Sequence, residues 1–263
     1  LDVEILALPE KASPSFLHLI LERRSVRRFT QRAVSGKLLK TIVKAGQRAP
    51  TSCGIQFYSF IEVSDRRKRR LINNLLSENQ VLESAPVWVF VCCDVARPLK
   101  MFEMLKIDCY LGEVTRLVHS LIDASLAAQN MVMAAESLGL GSVITIYHWK
   151  VLREVSELLH LPRNVLPLLL LCIGYPAEKP PLRPRWSTDM VLHKNRYRLP
   201  DQKTMLRDYG ESNRSLVNMN YFKGDATSLA EHWQRKFVTK EMILREKKLR
   251  IELRKLGFLP KKM

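Results

Sequence analysis

Apolar residues recur at helical spacing through residues 15–24 (SFLHLILERR) and again at Leu38, Leu39, Ile42, Val43 and Ala45. The chain therefore opens with two helices, the second closed by Ala49-Pro50. Thr51-Ser52-Cys53-Gly54 is a polar bend, and residues 57–63 (FYSFIEV), aromatic and branched, predict a strand. A helix over residues 66–76 leads to a second strand at 86–93 (PVWVFVCC), whose near-continuous apolarity predicts burial on both faces. After a polar loop comes the longest helical pattern, 118–138, apolar nearly all round and ended by Gly139 and Gly141, so it is expected to run through the interior. A strand at 142–146, a helix at 151–159 with Pro162 just beyond, and a strand at 166–173 complete an alternation of strand and helix. The pattern predicts an α+β fold with a mixed central sheet flanked by helices.

From Gly174 onward the pattern stops. The run GYPAEKPPLRPRW contains Pro176, Pro180, Pro181 and Pro184 and excludes regular structure, and the last 60 or so residues are polar and helix-prone. The division expected is a main domain over 1–200 and a basic helical extension over 201–263. Such an extension has little core of its own, so it is expected to wrap the main body or a partner subunit.

Composition narrows the class. The 263 residues are 46% hydrophobic and 26% charged, ordinary for a folded protein, which excludes disorder and collagen. The apolar stretches at 119–146 and 164–175 are interrupted by Asp123, Gln129, Glu136 and prolines, so none supplies the roughly 20 apolar residues of a membrane span. The N-terminus lacks the tripartite pattern of a secretory signal, and the expectation is a soluble cytoplasmic protein. The five cysteines are odd in number and show no CxxC spacing, which speaks against a disulfide framework or a structural zinc site. The six histidines show no ligand spacing either, so no metal is expected. Phosphate-loop, dinucleotide GxGxxG, zincin and GxSxG motifs are all missing.

Charge adds a partner class. Forty-three Lys and Arg against 26 Asp and Glu give +17, which attracts polyanions: nucleic acid, acidic lipid or a phosphorylated cofactor. The run RRKRR at 66–70 reads as a solvated helix face, and a basic run over 236–262 ends the chain. Two other clusters sit beside turn-forming residues: Arg23-Arg24-Ser25-Val26-Arg27 and Arg183-Pro184-Arg185. Guanidinium groups match phosphate bidentately and Ser adds a short neutral donor, so the two clusters together could hold one phosphate; surface charge is the other reading. The loop from Thr51 to Gln56 offers hydroxyls, a permissive Gly and an amide to a ligand, or is a plain turn.

Taken in order, these pieces resemble the nitroreductase superfamily of FMN enzymes, and within it the oxygen-insensitive NADPH nitroreductases and NADPH flavin reductases. The resemblance rests on RRSVRRF (23–29), APTSCGIQ (49–56), Gln80 before VWVFVCCD, DASLAAQNMVMAAESLGLGS (123–142), LLHLPRNVLPLLLLCIGYPAEKPPLRPRW (158–186) and VLHKNRY (191–197). It implies that Arg23, Arg24, Ser25 and Arg27, joined by Arg183 and Arg185, meet the FMN phosphate and nearby polar atoms. It also implies that Thr51, Ser52 and Gln56 lie beside the cofactor, the first two from the partner subunit, and that Gln80 approaches it from its own chain. Ile144, Thr145, Ile146 and Tyr147 run along the flavin ring; Ile146-Tyr147 stands where close relatives carry Gly-Gly, which reshapes that edge of the pocket.

The activity so implied is a homodimeric FMN oxidoreductase that takes hydride from NAD(P)H, NADPH preferred, and reduces nitroaromatics, quinones or free flavin by a ping-pong cycle, with no side-chain nucleophile. Arg214, Lys223 and Arg235 are candidate cations for the 2′-phosphate of NADPH. A different class of reading, a basic nucleic-acid or anion-binding module on the same fold, rests on net charge alone, and no membrane or nucleic-acid partner is expected.

Overall fold

A computed structural model of the chain describes residues 16–76 and 80–260, with only the backbone of Gln80 and Tyr147. Helix α1 (Phe16–Glu22) is followed by an extended segment and by α2 (Gly36–Gly46), which starts where the Ser35 hydroxyl accepts the Leu38 amide at 3.2 Å. Strand β1 (Tyr58–Glu62) leads to α3 (Arg66–Leu75), capped by Asp65, whose carboxylate accepts the Lys68 amide at 2.7 Å. Then come α4 (Gln80–Ser84), β2 (Val87–Asp94), α5 (Ala96–Met104) and the long α6 (Glu113–Ser137). Strand β3 (Gly141–Thr145), α7 (Leu152–Leu158) and β4 (Val165–Gly174) complete the sheet region. The remainder is helical: α8 (Thr188–Val191), α9 (Gln202–Asn218), α10 (Leu229–Phe237) and α11 (Lys240–Lys255).

The α+β expectation holds, but the sheet is antiparallel rather than mixed. Its order is β1-β2-β4-β3 and all three neighbouring pairs are antiparallel. The alternation of strand and helix set the element order but not the strand direction. The crossover from β2 through α6 lands one place away, and β4 inserts between β2 and β3, so these two run the same way without touching. Among the described residues the parallel contact is an isolated bridge, Ser25 to Ser142.

The alternation of side chains along β2 feeds two cores, as its apolar run predicts. Val87, Val89, Val91 and Cys93 face Ile42 of α2 and the alanine-rich side of α6 (Ala124, Ala127, Ala128, Ala135). Trp88, Phe90 and Cys92 face Val26, Ile72, Leu82 and Val155. Helix α6 ends in a Schellman motif: Gly139 has φ +75°, its amide donates to the Glu136 carbonyl at 3.0 Å, and the Leu140 amide donates to that of Ala135 at 3.0 Å. The helix is not wholly interior, however. Val114, Val118, Ile122 and Leu126, one turn apart, form an exposed apolar stripe along it.

The chain divides into two compact units, one running to Pro180 and rejoined from Lys248 on, the other Pro181–Lys247. The first recovers the end of the chain: Leu253, Leu256 and Phe258 pack on its core, and the Asn164 amide donates to the Leu256 carbonyl at 2.7 Å. The second has a small core of Leu216, Phe222, Ala226 and Leu229. Its buried Asp208 accepts the Ser187 amide at 2.7 Å and pairs with Arg207 at 2.9 Å. Among the described residues no helix is long and apolar enough to cross a membrane.

Candidate cofactor site

The arginine-rich segment is seated by two glycines. Gly141 of β3 and Gly174 of β4 are paired across the sheet, and residues 25–30 lie over that pair. A β-carbon on Gly141 would stand 2.8 Å from Val26 Cγ2, and one on Gly174 would stand 2.5 Å from Pro86 Cδ and 2.9 Å from Phe29 Cδ1. The missing side chains let the segment approach the backbone and be stitched to it. The Val26 amide donates to the Ser142 carbonyl at 2.9 Å, the Thr30 amide to that of Tyr175 at 2.9 Å, and the Ala177 amide to that of Arg28 at 2.9 Å. Segments about 150 residues apart in sequence thus share one sheet end.

The cluster's four arginines then divide by what they touch. Arg24 bonds the Glu22 carboxylate and donates to the Pro180 carbonyl at 3.1 Å, so it braces the segment. Arg28 pairs with Glu178 at 3.0 Å. The same carboxylate also accepts the amides of Arg27 at 2.7 Å and Arg28 at 3.1 Å; burial pushes the pKa of Glu178 up, but these donors, with the Arg28 guanidinium, outweigh it and hold the carboxyl below its ordinary value. Arg23 and Arg27 make no ion pair within 4 Å among the described residues. Both are half-buried. Beneath them Glu136, in the last turn of α6, accepts the Ser142 hydroxyl at 3.5 Å; burial pushes its carboxyl up to about 7 against the pull of Arg23, Ser142 and Arg24.

The predicted loop is a single 3₁₀ turn, Ser52–Gly54, with an unusual backbone. Cys53 (φ +50°) and Gln56 (φ +59°) join Gly54 (φ +73°) in the left-handed region, at a cost of about 1–2 kcal/mol for each non-glycine residue. The compensation comes from Asp123 of α6, 1% exposed. It accepts the Thr51 hydroxyl at 2.5 Å, the Ser52 amide at 3.1 Å and the Phe57 amide at 3.1 Å. The Thr51 oxygen in turn accepts the Gln56 amide at 2.9 Å. On the other side Arg97 donates to the carbonyls of Gln56 and Tyr58 (2.8 Å to the latter). Thr51 therefore has its proton committed inside the loop, whereas the hydroxyl of Ser52 has no hydrogen-bond partner among the described residues.

At the end of β3 the ladder gives way to side chains. Pairing with β4 stops at Thr145–Leu170, and β4 carries a bulge where Pro167 and Leu169 face Cys92 and Val91, which is how a proline fits in this strand. The freed carbonyls are taken by the next turn of chain: His148 Nε2 lies 2.7 Å from the Pro167 oxygen and Trp149 Nε1 donates to that of Leu168 at 2.8 Å. The interval left between them and β3 presents Ile144 (40% exposed) and Ile146 (58% exposed) to solvent, two and four residues along from Ser142. The side chains of Gln80 and Tyr147 lie outside the described residues.

Arg183 and Arg185 belong to the second unit and are exposed; Arg183 stacks over the Tyr221 ring at 4.4 Å, and Arg185 donates to the Pro184 carbonyl at 3.0 Å. Of the three candidate 2′-phosphate cations, Arg235 is tied to Glu231 and to the Asp225 carbonyl, while Arg214 and Lys223 have no ion-pair partner among the described residues. An open groove of about 840 Å³ between α3 and α7 contains none of the candidate residues. Asp123, Glu136 and Glu178 were missed as site residues by sequence reasoning: each is a lone carboxylate whose partners are backbone amides or distant residues, which no local spacing reveals.

Two cations with no ion pair within 4 Å among the described residues, beside a strand whose end exposes aliphatic side chains, suit the phosphate and the ring of a mononucleotide. The comparisons agree. The family model described as "Nitroreductase family" matches residues 20–175. The oxygen-insensitive NADPH nitroreductase of Salmonella typhimurium is 35% identical over 192 residues, 73% of this chain and 78% of that protein. The FMN reductase (NADPH) of Bacillus subtilis is 37% identical over 183 residues, 69% of this chain and 74% of that protein. The solved NfrA1 nitroreductase of B. subtilis superposes with a TM-score of 0.82 at 29% identity, covering 92% of this chain and 98% of that one. The chain belongs to the nitroreductase family.

Proposed function

We propose that the protein is an FMN-dependent NAD(P)H oxidoreductase, with NADPH preferred, that reduces nitroaromatics, quinones or free flavin in a ping-pong cycle. The observation that carries this reading is the stitched sheet end, where RRSVRRF and GYPAEK meet over a glycine pair and Arg23 and Arg27 keep their charges available beside an exposed strand terminus. It is supported by the NADPH nitroreductase and FMN reductase activities of the Salmonella and Bacillus relatives. FMN, when bound, supplies hydride acceptance and donation.

The chain's own residues have simpler tasks. Arg23 and Arg27 neutralise the phosphate, and Ser25 adds a neutral donor. Ile144 and Ile146 exclude water from the ring, while the backbone amides of residues 144–147 offer hydrogen bonds to its polar edge. Ser52 approaches from the partner subunit, Gln56 lies beside the cofactor, and Gln80 approaches from the same chain. The second substrate occupies the pocket that the nicotinamide has left, no side-chain nucleophile is required, and the protons that complete its reduction come from solvent.

The assembly proposed is a cytoplasmic homodimer, with part of the C-terminal extension over 201–263 embracing the partner. The exposed stripe of α6 supports the dimer, and five unpaired thiols suit a reducing compartment. Purified protein is expected to be yellow, with flavin absorbance that NADPH bleaches under anaerobic conditions. A preparation that stays colourless after FMN is supplied refutes the proposal.

A further inference from the structure

We infer that Asp123 is a positioning residue for the cofactor, acting through Thr51, and that within this loop Ser52 is the residue that touches the ligand. The inference rests on the FMN reading above. A buried carboxylate is costly unless each oxygen is satisfied, and Asp123 is satisfied wholly by the loop: Oδ2 takes the Thr51 hydroxyl and the Phe57 amide, Oδ1 the Ser52 amide. These donors come from both ends of the segment that contains the left-handed residues Cys53 and Gln56. A loop in that conformation persists only when its surroundings over-determine it, and such conformations are kept where a site must be pre-formed. Thr51 relays the restraint by accepting the Gln56 amide at 2.9 Å, and because its one proton is already given to Asp123 it has no donor left for a phosphate oxygen or a flavin acceptor atom. The resemblance points to both Thr51 and Ser52; the hydrogen bonds separate their roles.

The test combines cofactor titration with amide exchange on the full-length protein. FMN affinity is read from flavin fluorescence quenching on protein stripped of cofactor, and exchange is followed at Ser52, Gln56 and Phe57. Asp123→Asn, which keeps the shape but can accept fewer of the three donors, is expected to weaken FMN binding about tenfold and to deprotect the Ser52 and Phe57 amides. Thr51→Val is expected to weaken binding similarly and to deprotect Gln56, while Thr51→Ser restores both, a rescue that a packing role for the Thr51 methyl does not predict. Ser52→Ala is expected to weaken binding with all three amides still protected.

Wild-type FMN affinity in Asp123→Asn and Thr51→Val, with the amides deprotected, overturns the positioning role while leaving the cofactor reading intact. Thr51→Ser behaving like Thr51→Val overturns the relay. Loss of affinity in Ser52→Ala together with amide deprotection assigns Ser52 to the loop's structure and overturns its contact role. Wild-type protein that takes up no FMN refutes the function itself, and the inference with it. If Asp123→Asn does not fold, the Thr51 pair carries the test.

Discussion

Two titratable side chains in the first unit act on stability with opposite sign. His148 is fully buried with one ring nitrogen 2.7 Å from the Pro167 carbonyl and the other unpartnered, and burial outweighs that hydrogen bond, lowering its pKa to about 4. The folded chain favours the neutral ring, so its contribution is complete above the ordinary value near 6.5 and is lost as pH falls towards 4, by about 3 kcal/mol. Glu136 is an acid raised to about 7, so the folded chain holds a proton that the unfolded chain has released, and its contribution declines as pH rises from about 4.5 through 7. It is only partly buried, and solvent screening reduces that effect to on the order of 1 kcal/mol. Urea unfolding of His148→Gln, whose amide can still donate to Pro167, should therefore show less loss of stability between pH 6.5 and 4.5 than wild type. Glu136→Gln should gain on wild type between pH 5 and 8. Slopes identical to wild type in both variants would show that neither group is perturbed by the fold. Neither effect is legible in the sequence, where His148 is one of six scattered histidines and Glu136 only an interruption in an apolar helix.

At the scale of elements, periodicity located most of the fold, because β1 to β4, α3 and α7 each bury a face whose spacing is written locally. What it missed depends on longer range. Helix α5 was read as polar loop; its Pro98 sits in the first turn, where the amide it lacks has no intrahelical partner. The sheet direction was misread because β4 inserts between β2 and β3. Arg69, within what reads as a solvated basic run, turns inward to donate to the carbonyls of Val63 at 2.6 Å and Pro86 at 2.7 Å and to cover the Trp88 ring at 5.0 Å. The glycine pair belongs to the same class of hidden feature: Gly141 and Gly174 read as turn residues at strand ends, yet they are where the arginine segment docks. Adding a methyl at Gly174 sets it against both a proline ring and Phe29, and relief requires the segment to lift. Gly174→Ala should cost about 1–3 kcal/mol by the urea midpoint and should weaken FMN binding, since Arg23 and Arg27 move with the segment. Unchanged stability and affinity would show that the segment is held independently of the glycines.

At the scale of the whole molecule, the exposed stripe of Val114, Val118, Ile122 and Leu126 lies on the helix that also holds the buried Asp123. In the proposed homodimer this stripe is the candidate association surface, with the same stripe of a second copy as its partner, since a two-fold axis pairs identical patches. The position of Asp123 ties assembly to chemistry: the helix that carries the stripe also fixes the loop that the proposed function assigns to the partner's cofactor. Charge works against association, because two chains of +17 repel, so the apolar contact must outweigh a salt-sensitive term. Replacing Val118 and Ile122, 46% and 52% exposed, with Glu should leave the isolated fold intact, because neither side chain is buried in it. The double variant is expected to sediment as a monomer and to lose FMN at least tenfold more readily than wild type, even with Arg23, Arg27 and Asp123 in place. A variant that remains dimeric would move the interface elsewhere. One that is monomeric yet holds FMN as tightly as wild type would show that each chain completes its own cofactor site.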